Sequence, residues 1–186
     1  FPNRVRDEKE VKNYYQALDY MDCLIKEDDS SIHEGDVKIL HGLVMENNRK
    51  PTPYRDGQNV IKDSISGRIV YMPPEAKDVP TLMSNMVRWV NNQRETATLP
   101  VPIIAAIAHY QFATIHPYYD GNGRTARLLT NIVLHKAGYG LKGIYSLEEY
   151  YAGNLQSYYD ALTVGIPQLL LWKGRGGHHK MDRLFL

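Results

Sequence analysis

Within its 186 residues the chain has a single cysteine, only three phenylalanines, and a formal charge of +1. One cysteine, Cys23, excludes an internal disulfide framework and a multi-cysteine metal site, and it fits a reducing, cytoplasmic compartment. So small a net charge supplies no strong field toward nucleic acid or an anionic membrane surface, so neither is expected as a partner. No apolar run approaches membrane-spanning length, since Leu169-Leu170-Leu171-Trp172 is far too short. The first thirty residues carry too much charge for a signal peptide. Internal repeats and low-complexity segments are also missing.

What is present is ordinary globular composition, 43% apolar and 23% charged, with an excess of tyrosine: fourteen residues. Tyrosine buries a ring but leaves a hydroxyl to satisfy, which suits boundaries between core and cleft. Apolar periodicity predicts a helix over 7–27, with Val11, Tyr14, Leu18, Met21 and Ile25 on its inner face. A second helix is expected from Ile32 to about Met45, opened by a capping box of Ser31 and Glu34. Residues 47–80 are broken by proline and glycine, and the β-prone run Arg68-Ile69-Val70-Tyr71 reads as part of a hairpin or flap. Helical periodicity returns at Val79, and Pro102 opens a segment, Ile103 to Ile115, that is apolar almost all round and is expected at the centre of the molecule. Further helices are expected over 124–136, with Gly138 past its end, and over 147–162, with Tyr151, Leu155, Tyr158 and Leu162 inward. The fold class is all-α with one small β-hairpin. The basic tail from Gly165 has no clear pattern.

The chemistry concentrates in His116-Pro117-Tyr118-Tyr119-Asp120-Gly121-Asn122-Gly123-Arg124-Thr125-Ala126-Arg127. Two glycines in a tight turn permit positive φ and close approach of a ligand. Successive amides in such a turn form an anion-binding nest, reinforced by the positive end of the next helix. Arg124 and Arg127 lie three apart and share a helix face, where cations oppose the macrodipole unless an anion lies between them. Asp120 is a hard oxygen ligand suited to Mg²⁺ (or Mn²⁺). His116 titrates near neutrality and can serve as a general base. Base, metal ligand, nest and arginine pair are the parts that transfer of a phosphorus-centred group needs.

Other motifs fail on spacing. A Walker loop requires Lys after its last glycine, where Arg124 stands, and an EF-hand begun at Asp120 would meet Thr125 and Asn131 in place of Gly and Glu. The His-x-x-x-Asp-Gly signature of CoA-dependent acyltransferases is satisfied by His116 to Gly121 but leaves Asn122, Gly123, Arg124 and Arg127 without a purpose.

The stretch resembles the signature of the Fic (filamentation induced by cAMP) family, His-Pro-Phe-x-Asp/Glu-Gly-Asn-Gly-Arg-x-x-Arg, with Tyr118 where Phe is usual. Glu10-Val11-Lys12-Asn13-Tyr14, Leu40-His41, Tyr71-Met72-Pro73-Pro74, Val79-Pro80, Ala108-His109-Tyr110 and Ser146-Leu147-Glu148-Glu149-Tyr150 extend the resemblance over roughly residues 8–164. It implies a Fic-type helical bundle around a central buried helix, a catalytic domain over 1–164 with a flap about 60–74, and a tail, 165–186, of unknown role. It further implies a protein AMP-transferase moving AMP from ATP to a Ser, Thr or Tyr hydroxyl of a target protein. In that reading His116 is the base, Asp120 holds Mg²⁺, Gly121, Asn122 and Gly123 cradle phosphate, and Arg124 and Arg127 clamp the β- and γ-phosphates. Ile69, Val70, Tyr71 and Met72 would dock the target by strand addition, and Tyr158 and Tyr159 would flank the adenosine.

Alternatives on the same residues are UMP or phosphate transfer, the reverse reaction, or a nucleotide-binding regulatory or toxin module without turnover. Fic proteins often carry an inhibitory Ser/Thr-x-x-x-Glu-Gly/Asn motif, which Ser30 to Gly35 matches. Here the match follows the Glu10–Tyr14 segment that the inhibitor should precede, so an inhibitor is expected upstream of Phe1 or as a separate antitoxin. A homodimer is compatible with the sequence.

Overall fold

The computed structural model describes residues 2–26, 29, 31–46, 48–62, 67–139 and 147–163. The tail 165–186, Ser30 and the hairpin tip 63–66 lie outside these. The chain is all-α, with helices α1 (Pro2–Lys26), α2 (Glu34–Glu46), α3 (Val79–Thr96), α4 (Val101–Ile115), α5 (Asn122–His135), α6 (Leu147–Gly153) and α7 (Leu155–Thr163). Strands β1 (Ile61–Lys62) and β2 (Ile69–Tyr71) form an antiparallel ribbon, with Ile61 opposite Tyr71 and Lys62 opposite Ile69.

Helix α4 is the hub: α5, α3 and α7 pack on it, while α1 and α2 close over α5. Ile104, Ala108 and Phe112 from α4 meet Leu128, Leu129 and Val133 from α5 in one continuous core with Leu40 and Val44 of α2. The N-terminal turn of α4 leaves this core, and Ile103 is half exposed there. Pro102 lies in that first turn, where its missing N–H costs nothing. Gly138, at φ 82°, follows α5, and the Tyr139 amide returns to the Leu134 carbonyl at 3.0 Å.

Three expectations shift. On α1 the buried stripe is Asn13, Ala17, Met21 and Leu24, whereas Val11 is 57% exposed. The rotation lets the buried Asn13 amide donate to the carbonyls of Val44 (3.3 Å) and Met45 (3.1 Å), groups that the end of α2 leaves without helical partners. The capping box does not form. Helix α2 starts at Glu34, the His33 carbonyl takes the Asp36 and Val37 amides, and Glu34 pairs with Lys38 Nζ at 3.0 Å. Ser31 stays outside because Asn91 of α3 holds Ile32 through both its N–H and its C=O, each at 2.9 Å. The last expected helix is two, divided at Asn154, whose amide caps Tyr150 O at 3.0 Å, and Leu155 is exposed.

Helix α2 and the loop behind it touch backbone to backbone. A Cβ at Gly42 would lie 2.6 Å from the Lys50 carbonyl oxygen and 2.7 Å from that of Asn48. Gly42→Ala is therefore expected to destabilise the fold by about 1–3 kcal/mol despite the gain in helix propensity, measured by chemical denaturation. An unchanged or raised midpoint would show that this approach is not close.

Candidate active site

Helix α4 ends at His116, whose backbone is left-handed (φ 51°, ψ 60°) with its amide on Phe112 O at 3.0 Å. Pro117 bars the helix from running on. The ring Nδ1 lies 3.3 Å from Ala113 O. A carbonyl only accepts, so Nδ1 carries the proton and the Nε2 lone pair is the basic site. Burial is the chief cause that holds the His116 pKa below 6.5, with the nearby Arg55 charge in the same direction. The ring is thus kept neutral.

From His116 the chain turns back into α5. The buried Asn122 side chain staples this turn, accepting the Tyr118 amide at 3.0 Å and donating to the Tyr118 carbonyl at 2.8 Å. Gly121 is the left-handed N-cap of α5 (φ 75°), and a Cβ there would meet Met45 Sδ at 2.6 Å. The left-handed conformation is what favours glycine at this position. The amides of Asn122, Gly123 and Arg124 open α5, where no carbonyl one turn earlier can take them. The cradle therefore consists of main-chain groups. Asn122 builds it with its side chain, and the Gly121 amide is already used by Asp120 Oδ1 at 2.6 Å.

Arg124 lies between two carboxylates, Glu10 Oε2 of α1 at 3.4 Å and Asp120 Oδ1 at 3.7 Å, with Met45 Sδ at 3.5 Å. Arg127 reaches back over the helix start, its Nη1 3.6 Å from where a Gly123 side chain would begin. The Asp120 side chain is more than half exposed. Among the described residues no three His, Cys, Asp or Glu groups converge. One exposed carboxylate beside amides that favour phosphate fits Mg²⁺, which binds through one or two carboxylates plus phosphates and water. Asp120 would hold it.

Two residues essential to this geometry were not singled out as site residues from the sequence. Arg55, 3% exposed, donates from Nε to His116 O at 2.9 Å, from Nη1 to Gly57 O at 3.0 Å, and from Nη2 to the carbonyls of Pro74 and Ile115. It clasps the end of α4, the loop before β1 and the loop after β2 at once. His41 is buried and stacks flat on Tyr118 at 3.5 Å between centroids. Its Nε2 donates to the Asp120 carbonyl at 2.9 Å. The only sequence signal for it was its place in the Leu40-His41 pair.

Of the flap residues, Tyr71 is buried and donates its hydroxyl to Thr114 O at 2.7 Å, so its side chain anchors the ribbon to α4. Ile69 is exposed. In α7, Tyr158 turns inward, with its hydroxyl 3.1 Å from His109 Nε2, whereas Tyr159 is 53% exposed.

His116 is half-buried beside the start of α5, which carries Arg124 in its first turn and Arg127 in its second. A profile of the Fic/DOC family matches residues 31–134, more than half of the chain. The chain belongs to the Fic/DOC family. It is 32% identical over 151 residues to the "Protein adenylyltransferase fic-1" of Caenorhabditis briggsae and equally to that of Caenorhabditis elegans, covering 80% of this chain and 29% and 28% of those proteins. A Fic-domain signaling protein from Bacteroides thetaiotaomicron superposes with a TM-score of 0.65 at 27% identity, over 72% of this chain and 50% of that one. The Caenorhabditis elegans Fic-1 structure gives 0.59 at 29% identity, over 72% and 38%. The chain thus spans less than a third of the length of these curated relatives.

The one departure from the Fic signature, Tyr118, buries its ring against His41, Tyr54 and Phe112. Its hydroxyl finds no hydrogen-bond partner among the described residues. Burial, and next the Glu34 carboxylate, push its pKa up. Tyr118→Phe, which restores the usual Fic residue, is expected to leave the fold intact and raise stability by about 1 kcal/mol, read from denaturant midpoints. A loss of stability would mean that the hydroxyl is satisfied.

Proposed function

We propose that this chain carries the catalytic unit of a protein AMP-transferase, built by residues 1–164. The target's Ser, Thr or Tyr hydroxyl gives its proton to His116 Nε2 while its oxygen attacks the α-phosphorus of ATP. The bond to the β-phosphate bridging oxygen breaks and pyrophosphate leaves. What supports this reading above all is the fixed tautomer of His116, whose proton sits on Nδ1 against Ala113 O while Nε2 stays basic beside the start of α5. The names of the adenylyltransferase relatives point to the same reaction.

The amides of Asn122, Gly123 and Arg124 cradle phosphate oxygens, and the dipole of α5 favours their charge. Arg124 and Arg127 take the β- and γ-phosphates. Phosphate displaces the weak, partly exposed pairing of Arg124 with Glu10 and Asp120, which costs little because such pairs contribute about 0–1 kcal/mol. Asp120 would hold Mg²⁺, which would supply charge neutralisation at the phosphates. The target segment adds to the edge of β2 that no other described strand covers, beside the exposed Ile69, while Tyr71 holds the ribbon in place.

His116→Ala should lower AMP transfer by about 10²–10⁴-fold while leaving ATP affinity nearly unchanged, because the base acts on the hydroxyl and not on the nucleotide. Labelled-AMP incorporation beside a nucleotide titration reads both. A lowered pKa means His116 stays deprotonated below the ordinary value of 6.5 and loses basicity only as pH falls through its own lower pKa. The acid limb of kcat/KM should therefore lie below pH 6.5, and a limb above it, or transfer at the wild-type rate in His116→Ala, would overturn the assignment.

A further inference from the structure

Behind the phosphate end of the site runs a chain of hydrogen bonds in which each donor is determined. Thr130 Oγ1 of α5 donates to Ala126 O at 2.8 Å, so its oxygen is left to accept. His109 Nδ1 of α4 lies 3.0 Å from that oxygen and donates to it, leaving Nε2 with a lone pair. The Tyr158 hydroxyl of α7 lies 3.1 Å from Nε2 and donates there. His109 is 5% exposed, and burial together with the Arg127 charge lowers its pKa to about 4, so it remains the neutral imidazole that this chain requires.

The chain of bonds joins three helices at one point. Its far end is Ala126 O, the carbonyl before Arg127. Its near end is the inward tyrosine of a helix that is otherwise largely exposed, with Tyr159 and Leu155 at its surface. The rings of Tyr151 and Tyr158 lie 4.8 Å apart and both border His109. The Arg127 charge is felt by both Tyr158 and His109. Helix α7 packs on α4, and the bond chain links its inward ring through His109 to α5.

We propose that His109 is a positioning residue for the nucleotide pocket. By accepting the Tyr158 hydroxyl and donating to Thr130 it fixes α7 against the Arg127 end of α5, and with it Tyr158, the side chain that the resemblance to Fic proteins sets beside the adenosine. His109 touches no reacting atom, so it acts on nucleotide affinity and not on the proton transfer at His116. The proposal rests on the nucleotide-binding reading above.

The test uses the full chain with His109→Phe, which keeps a ring but cannot accept, His109→Gln, which has both an acceptor and a donor, Tyr158→Phe, and the double variant His109→Phe/Tyr158→Phe. Each is titrated with MgATP and with magnesium tripolyphosphate, which lacks the nucleoside. His109→Phe and Tyr158→Phe should each weaken ATP about two- to ten-fold, the net worth of one hydrogen bond. The double variant should be no weaker than either single one, and His109→Gln should recover most of the affinity. In the two His109 variants tripolyphosphate affinity should stay level, as should the transfer rate at saturating ATP. Additive losses in the double variant overturn the proposal, as does an equal loss of tripolyphosphate, which would place the effect in Arg127. Nitrogen-15 spectra supply a readout that packing alone would not move: the His109 ring of the unmodified chain should show Nδ1 protonated and Nε2 bare at neutral pH, and the opposite tautomer overturns the proposal. If the unmodified chain binds tripolyphosphate and ATP equally, or neither, the nucleotide reading itself fails, an outcome distinct from intact binding that ignores His109.

Discussion

Three segments far apart in the chain meet at the Arg55 guanidinium, and the geometry of the site depends on that meeting. The carbonyls of Ile115 and His116 lie at the C-terminal end of α4, where a helix leaves acceptors without donors and carries partial negative charge. Gly57 and Pro74 bring in the two loops that flank the ribbon. The Arg55 amide also donates to Pro117 O at 2.9 Å. One residue thus satisfies the end of the central helix, fixes the proline that follows the base, and ties the flap to both. A lysine would supply the charge but not the planar fork that serves several carbonyls together.

That clasp is what makes the His116 backbone tenable. A left-handed conformation in a residue with a side chain costs roughly 1–2 kcal/mol and persists only where its surroundings determine it. Arg55 grips its carbonyl, Ala113 takes its Nδ1 proton, and the Asn122 staple closes the turn beyond it. His41 presses on the turn from α2, through its stack on Tyr118 and its bond to Asp120 O. His116 and the start of α5 are therefore parts of one braced loop, which in the proposed reaction would be a preorganised arrangement.

The family was legible in the twelve residues of this loop because their chemistry is local: turn glycines, an arginine pair and a histidine at neighbouring positions. The helices were legible from their periodicity, including the starts at Val79 and Pro102. Arg55 was not, because a lone arginine in a loop looks solvated until its carbonyl partners are known, two of them 60 and 61 residues away. On the α1 stripe Met21 is buried and Tyr14, Leu18 and Ile25 pack against the core, but Val11 was placed wrongly for a related reason. Periodicity favoured the apolar Val11, and nothing local shows that Asn13 is needed at the end of α2. The capping box at Ser31 failed because the side chain of Asn91, on a different helix, held the segment extended. Local signals were overruled wherever an inward polar side chain served a distant backbone.

The central claim is that the loop is already in its working shape before nucleotide arrives. A crystal structure of the chain with a non-hydrolysable ATP analogue and Mg²⁺ tests it most directly. The account predicts phosphates on the amides of Asn122, Gly123 and Arg124, the α-phosphorus on the Nε2 side of His116, and the Arg55 contacts unchanged. Phosphates bound elsewhere, or a loop that had to rebuild its backbone at His116 to admit them, would contradict it.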